Sequence, residues 1–128
     1  MRQSEFIPKR HNSEALLQQM FCNWLESRNL LFVASMMGVN LGARVGAMRK
    51  RMGCRAGIPD IIILHSRHPY NGMTIELKVK GGKSSPEQEE FQRRATLNGY
   101  YSLIMPSTMD IQDGLNWLKT KVEEYLND

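Results

Sequence analysis

The sequence lacks the features of a membrane-spanning, secreted or zinc-binding protein. No apolar run in its 128 residues approaches the length that a membrane span needs. The polar N-terminus contains no apolar signal-peptide core. Its two cysteines, Cys22 and Cys54, fit no zinc-ligand spacing, so reduced thiols are expected. We therefore expect a single intracellular domain.

Acidic residues are also missing from the long stretch between Glu26 and Asp60. The whole chain has a net charge of +4 and a pI of about 9.3, and this stretch concentrates much of the excess. Such a segment is either a solvated surface loop or a surface that contacts a polyanion. Its basic residues are Arg28, Arg44, Arg49, Lys50, Arg51 and Arg55.

The N-terminal residues 1–12 are polar and are predicted to form a flexible arm, which leaves 13–128 as the folded domain. Asn12 or Ser13 is a suitable cap for a first helix. Glu14 lies on the apolar stripe of this helix, either to favour the helix dipole or as a site residue. The stripe consists of Leu16, Leu17, Met20, Phe21, Trp24 and Leu25.

Two later stretches organise the rest of the chain. Residues 57–64 contain a Gly/Pro break, an acid at Asp60 and then branched apolar residues, the pattern of a buried strand. Residues 73–79 alternate, so that Glu76 and Lys78 share one face of a second strand. If the strands are neighbours, Asp60, Glu76 and Lys78 converge at one edge of a sheet. The alternative is that Thr74, Glu76 and Lys78 form the wet face of an amphipathic strand and that Asp60 is a turn residue.

The remaining elements are marked by breakers and caps. Asn71-Gly72 predicts a hairpin between the two strands. Ser85, Pro86 and Gln88 match a capping box at a helix start, and Gln88 either only completes that box or also faces Glu76. The other expected elements are strands over 30–35 and 101–105, a short basic helix over 43–52, and a final helix capped by Ser107 or Thr108.

This order predicts a mixed α/β sheet covered by helices. The first three strands pair antiparallel through short connections, and a helical crossover allows the fourth strand to run parallel to a sheet member. Four methionines in the glycine- and arginine-rich stretch either cover the core or form a subunit contact. They are Met36, Met37, Met48 and Met52.

The converging side chains match the ligands of a hard divalent cation. Mg²⁺ prefers oxygen ligands, usually one or two carboxylates with water and substrate phosphate. Asp60 and Glu76 supply such carboxylates, Glu14 reaches in from the first helix, and a main-chain carbonyl near Leu77 adds an oxygen. Lys78, on the same strand face as Glu76, would orient the attacking water or stabilise the transition state of phosphodiester hydrolysis.

Pro59-Asp60 followed by Glu76-Leu77-Lys78 resembles the PD-(D/E)XK nuclease motif. More specifically, the chain resembles a stand-alone VRR-NUC (virus-type replication-repair nuclease) domain of viral or phage type. The resemblance implies a restriction-endonuclease-like core of four mixed strands flanked by helices. Its other supporting residues are Glu14, Asn40-Leu41-Gly42, Gly53, Gly57, Ser85-Pro86-Glu87-Gln88 and Gly99.

By this resemblance, Glu14, Asp60, Glu76 and the Leu77 carbonyl bind metal, Lys78 is catalytic with Asp60 and Glu76, and Gln88 supports them. The family cuts DNA with Mg²⁺ or Mn²⁺, and its compact members resemble Holliday-junction resolvases that act as homodimers. A flap-cutting or restriction-like nuclease and a non-catalytic DNA-binding module are the alternatives. The predicted DNA-binding residues are Arg44, Arg49, Lys50, Arg51, Arg55, Lys80 and Lys83.

Overall fold

The computed structural model describes residues 9–35 and 42–127, with side chains from residue 13 onward. Helices and strands follow one another in nearly the predicted order, with the short basic helix between the first two strands. The elements are α1 (Lys9–Ser27), β1 (Phe32–Ala34), α2 (Ala43–Arg51), β2 (Ile61–Ile63), β3 (Met73–Glu76), α3 (Pro86–Leu97), β4 (Tyr101–Ile104) and α4 (Ile111–Asn127).

The four strands form one mixed sheet in the order β1-β2-β3-β4. β1 pairs antiparallel with β2, and β2 pairs antiparallel with β3, with Ile61 opposite Ile75. β4 runs parallel to β3, and α3 is the crossover that parallel pairing requires. The predicted α/β fold with a mixed four-stranded sheet is confirmed.

One face of the sheet carries the apolar core. Alternate residues of β2 and β3 point to this face, where α1 and α4 pack against each other and against the strands. Leu16 is the exception in the predicted stripe of α1, because its side chain is 46% exposed. The core residues with no exposed surface are Leu17, Phe21, Leu25, Ile61, Ile63, Met73, Ile75, Leu118 and Val122.

The opposite face of β3 is polar but is buried beneath α3. Thr74, Glu76 and Lys78 are only 2%, 1% and 6% exposed. The Thr74 hydroxyl donates to the side chain of Gln92, which lies on α3. The interpretation of these residues as a wet strand face is therefore wrong. Buried polar groups require partners, and α3 supplies them.

Helix starts differ from the sequence prediction at both ends of the chain. α1 begins at Lys9, so the last residues of the predicted arm are helical, while residues 1–8 lie outside the described residues. Neither Ser107 nor Thr108 caps α4. Asp110 does so instead, because its Oδ1 accepts a hydrogen bond of 2.8 Å from the main-chain N–H of Asp113.

The connection between β2 and β3 is longer than a two-residue hairpin. Arg67 and Tyr70 exchange two main-chain hydrogen bonds around a cis bond between His68 and Pro69, and they form the turn. The predicted Asn71-Gly72 turn instead leads into β3. The strands predicted over 30–35 and 101–105 also end earlier, at Ala34 and Ile104.

α2 lies outside the core, and none of its residues is buried. Met48 is 45% exposed and Met52, directly after the helix, is 73% exposed, so neither fills the core. The expectations for Met36, Met37 and Asn40-Leu41 fall on residues outside the described part of the chain. Among the described helices, none is both long and apolar enough to cross a membrane.

Candidate active site

Two carboxylates meet where β2 begins and β3 ends. Asp60 directly precedes β2, and Glu76 is the last residue of β3. Because Ile61 lies opposite Ile75 in this antiparallel pair, the next positions outward are Asp60 and Glu76. The Oδ2 atom of Asp60 accepts a 2.7 Å hydrogen bond from the main-chain N–H of Leu77, which fixes it against the end of β3.

The two oxygens of Glu76 differ in the hydrogen bonds that they accept from the described part of the chain. Its Oε1 accepts a 2.7 Å bond from Nε2 of Gln88. Its Oε2 is buried and receives no hydrogen bond from any described residue. A buried carboxylate oxygen without a donor is costly, so this atom requires a proton or a cation.

The electrostatics of the pair indicate the same requirement. Burial raises the pKa of Glu76 to about 9, helped by the neighbouring carboxyl group of Asp60 and by the charge of Glu14. The ammonium of Lys78 opposes this shift. Burial also raises the pKa of Asp60, while the Leu77 N–H opposes the change. Without a cation, the two acids therefore share a proton rather than both carrying charge.

Lys78 is held beside the pair by two acceptors. Its Nζ donates to the main-chain carbonyl of Lys83 and to Oε1 of Gln88, both over 3.1 Å. The residue is only 6% exposed, so its charged end is confined to the site. Because an ammonium has three protons, these two bonds leave one for water or a phosphate oxygen.

Gln88 serves both roles that its position predicts. The side-chain Oε1 of Gln88 accepts a hydrogen bond from the main-chain N–H of Ser85 over 2.8 Å, and the main-chain N–H of Gln88 donates to the Ser85 hydroxyl over 3.1 Å. These bonds form the predicted capping box. The same side chain contacts both Glu76 and Lys78, so the start of α3 is part of the site.

Glu14 approaches the site from α1 across a glycine. A Cβ atom added at Gly82 would lie 3.7 Å from Oε2 of Glu14 and 3.6 Å from Cδ of Lys78. The charge of Glu14 contributes to the raised pKa of Glu76. Glu14 is therefore close enough to act electrostatically on Glu76.

The residues present fit a divalent cation at Asp60 and Glu76. Within 9–35 and 42–127, no three His, Cys, Asp or Glu side chains are already arranged to hold a metal ion. Two converging carboxylates and one donorless buried oxygen nevertheless match a cation that completes its shell with water and phosphate. Glu14 and the main-chain carbonyl of Leu77 remain predicted ligands. The side chain of Leu77 cannot take part, because it lies in the core.

The predicted DNA-binding residues fall into two groups along the chain. Arg44, Arg49, Lys50 and Arg51 lie on α2, followed by Arg55 in the loop that leads to Asp60. Lys80 and Lys83 lie in the loop between β3 and α3. All of them except the partly buried Arg49 are exposed, and their contact with DNA stays a prediction.

Two features of the site were not predicted. The carbonyl of Lys83 binds Lys78, and no side-chain pattern reveals a main-chain acceptor. Gly57 adopts φ +80°, and an added Cβ would lie 2.4 Å from the main chain of Glu87. The close approach of Gly57 to Glu87 holds the segment before Asp60 against the start of α3. The glycine before Ile58-Pro59 is the feature of the sequence that could have indicated this contact.

The fold and this arrangement define an α/β domain of the nuclease type. The sequence profile of the VRR-NUC domain matches residues 2–106, and the chain belongs to that family. A solved structure described as a VRR_NUC domain protein superposes with a TM-score of 0.71 over 90% of this chain and 88% of the other. Their sequences are 24% identical, so this likeness supports the fold. No curated protein matches the sequence.

Proposed function

We propose that the protein is a divalent-metal-dependent endonuclease that hydrolyses phosphodiester bonds in branched DNA, with Holliday junctions as the leading substrate. The observation that carries this proposal is the buried pair of Asp60 and Glu76, with Lys78 fixed beside it. One oxygen of this pair receives no hydrogen bond from residues 9–35 and 42–127. A purely structural role does not require two facing acids in the interior, because their repulsion destabilises the fold.

Each side chain has a separate task in this proposal. Asp60 and Glu76 hold Mg²⁺ or Mn²⁺, with Glu14 beside them. When bound, the cation supplies a coordinated water of lowered pKa and offsets charge on the phosphate. Lys78 directs its remaining proton towards the attacking water or a phosphate oxygen. Gln88 positions both Glu76 and Lys78 through its two amide atoms.

The charge around the site supports a DNA substrate. The loop after β3 reaches the site through the Lys83 carbonyl and carries the exposed Lys80 and Lys83, and α2 adds further exposed basic residues. A polyanion would be attracted to a domain with this charge. The exposed Met48 and Met52 on and beside the same helix support a homodimer, which two-fold junction cleavage requires. Flap-cutting and restriction-like cleavage use the same chemistry on other DNA.

Labelled junction, flap and linear duplex substrates, incubated with Mg²⁺ or Mn²⁺, test the proposal. We expect metal-dependent cutting of branched DNA that falls at least 100-fold in Asp60→Ala and Lys78→Met. Lys119→Met, which alters a lysine on α4, is the matched control and should cut normally. Equal cutting by all variants, or binding without cutting by the wild type, would overturn the proposal, and the second result would identify a non-catalytic binding module.

The homodimer has its own test. Light scattering at working concentrations should give twice the chain mass of 14.7 kDa. Met48→Lys places a charge on the exposed apolar surface and should shift the mass towards that of one chain. A single-chain mass for the wild type would reject the dimer and leave the cleavage chemistry unaffected.

A further inference from the structure

A cavity of about 560 Å³ lies next to the carboxylate pair, between α3 and the face of β2 that this helix leaves open. Its floor includes Ile62 and Thr74, which lie opposite each other in the sheet. Asp60 and Glu76 are two positions farther along the same two strands, and alternation places them on the same face. The cavity and the candidate active site are therefore adjacent parts of one surface.

The lining is mainly apolar and aromatic. The apolar and aromatic side chains come from β2 and the residue after it, from α3, and from the residue before β4. They are Ile62, Leu64, Phe91, Ala95 and Tyr100. The volume is within the range of about 300–1,000 Å³ that is typical of sites for small flat ligands. An aromatic and aliphatic lining of this kind suits an unsaturated ring that stacks.

The polar lining consists of charged groups of both signs and the amide of Asn98, whose nitrogen already donates to the main-chain carbonyl of Arg94. Arg55 and Arg94 both line the cavity. Two acids are also present, but Glu90 is paired with Arg93 over 2.8 Å, which leaves Glu87 against two arginines. The hydroxyl of Thr74 is already bonded within the protein, to Gln92 and Ser102.

Distance along the strands connects the cavity to the proposed chemistry. Two residues of a strand span about 6.6–6.8 Å. This step is comparable with the spacing of successive phosphates along one DNA strand. If a DNA strand binds with one phosphate at Asp60 and Glu76, the neighbouring nucleotide therefore lies over Ile62 and Thr74, at the mouth of the cavity.

We propose that this cavity accepts an unpaired nucleobase of the DNA substrate, adjacent to the phosphodiester that is cut. The inference rests on the proposed nuclease function and specifies its substrate. A base in intact duplex is paired and stacked and cannot enter, so the cavity selects DNA with an unpaired or readily extruded nucleotide beside the cut. Because recognition is by stacking and charge, all four bases are accepted.

Abasic substitution tests the inference directly. The cut position is first mapped on a branched substrate, and the nucleotides on either side are then replaced, one at a time, by an abasic site or by each of the four bases. We expect kcat/KM to fall about 5- to 100-fold for the abasic site on one side of the cut, with small differences among the bases. An abasic site without effect on either side would overturn the inference.

Two variants with opposite effects on the cavity connect this result to the structure. Phe91→Ala removes a stacking surface, and Ala95→Trp fills the space. Both should cut the intact substrate as slowly as the wild type cuts the abasic one, and both should lose the response to the abasic site. Leu97→Ala, at a residue of the same helix that is 73% exposed, should behave like the wild type.

The outcomes separate the two proposals. If wild type cuts branched DNA but Phe91→Ala and Ala95→Trp respond to the abasic site as Leu97→Ala does, the nucleobase inference fails and the nuclease stands. If Ala95→Trp instead halves the particle mass and keeps the abasic response, the cavity is a subunit contact and the inference also fails. If wild type cuts no DNA with either metal, the proposed function fails first.

Discussion

Nε2 of Gln88 donates a hydrogen bond to Oε1 of Glu76 over 2.7 Å, which joins the first turn of α3 to the end of β3. The other amide atom, Oε1, accepts from Nζ of Lys78 and from the N–H of Ser85. One side chain therefore fixes the helix start, the proposed metal-binding acid and the proposed catalytic lysine. The position of Glu76 depends on an element that begins ten residues later.

Gln88→Glu removes the bond to Glu76 and keeps the helix cap. A glutamate at this position still completes a capping box and still accepts from Lys78, but it cannot donate to Glu76. It also adds a negative charge beside the carboxylate pair. We expect nuclease activity to fall about 10- to 100-fold, the range for groups that position metal ligands. Helix content by circular dichroism should remain that of the wild type.

Ser85→Ala is the complementary control. It removes the hydroxyl that accepts from the Gln88 N–H and leaves both amide contacts of the Gln88 side chain available. We expect the free energy of unfolding to fall by about 1 kcal/mol, with activity nearly unchanged. If Ser85→Ala lost as much activity as Gln88→Glu, the Ser85 cap would itself be needed to position Gln88, and the bond to Glu76 would not have a separate effect.

The metal-free protein should lose stability as pH rises through the neutral range. The pKa of Glu76 is about 9 in the folded protein and 4.5 ordinarily, so the folded state retains a proton that the unfolded chain releases. The stabilisation is complete below pH about 4.5 and is lost progressively towards pH about 9. Glu76→Gln has no such proton, and we expect it to be more stable than wild type by about 2–3 kcal/mol at pH 7.

Urea unfolding with a chelator at pH 5 and pH 7.5 measures this difference. The gap between Glu76→Gln and the wild type should widen with pH, and adding Mg²⁺ should narrow it by stabilising the wild type alone. A gap that stays constant between the two pH values would contradict the burial argument for Glu76. Activity should be lost in Glu76→Gln at every pH, since its amide is a poor replacement for a metal-binding carboxylate.

The sequence made the sheet and the acid pair predictable because both depend on local patterns. The alternation over 73–79 sets which residues of β3 share a face, and the Gly/Pro break before Asp60 sets where β2 begins. The capping box at Ser85 marked the start of α3 for the same reason. Each of these signals lies within a few residues of the feature that it predicts.

The missed features depend on contacts between distant segments. Thr74, Glu76 and Lys78 have the pattern of a solvated face, and only the packing of α3 buries them. The Lys83 carbonyl reaches Lys78 because of the loop conformation. The cavity forms where α3 leaves part of β2 uncovered, and no periodicity along the chain reports that.

The basic residues of α2 should act through phosphate contacts. Arg49, Lys50 and Arg51 occupy its last turn. Each one that neutralises a phosphate should contribute about 0.9 to the slope of log affinity against log salt concentration. Alanine variants, measured by binding to a labelled junction with a chelator present, should each reduce the slope by that amount. Lys119→Ala on α4 is the control, and slopes unchanged in all three α2 variants would place the DNA path elsewhere.

Gly57 should tolerate no side chain, in contrast to Gly46 on α2. At Gly57 the φ of +80° and the 2.4 Å approach to the Glu87 main chain both oppose a Cβ, so Gly57→Ala should destabilise the fold by about 2–4 kcal/mol. At Gly46 a Cβ would meet nothing within 4 Å, and alanine in a helix should stabilise by about 0.5–1 kcal/mol.

Urea unfolding of both glycine variants and cleavage under native conditions distinguish the two positions. Gly57 holds the segment before Asp60 against α3. In Gly57→Ala, the molecules that remain folded should therefore also cut DNA more slowly, because Asp60 is displaced from Glu76. Gly46→Ala changes neither contact and should cut normally. Equal responses at the two glycines would mean that the segment before Asp60 can move away from α3 at little cost. The position of Asp60 would then be set by its hydrogen bonds from the N–H groups of Leu77 and Ser35.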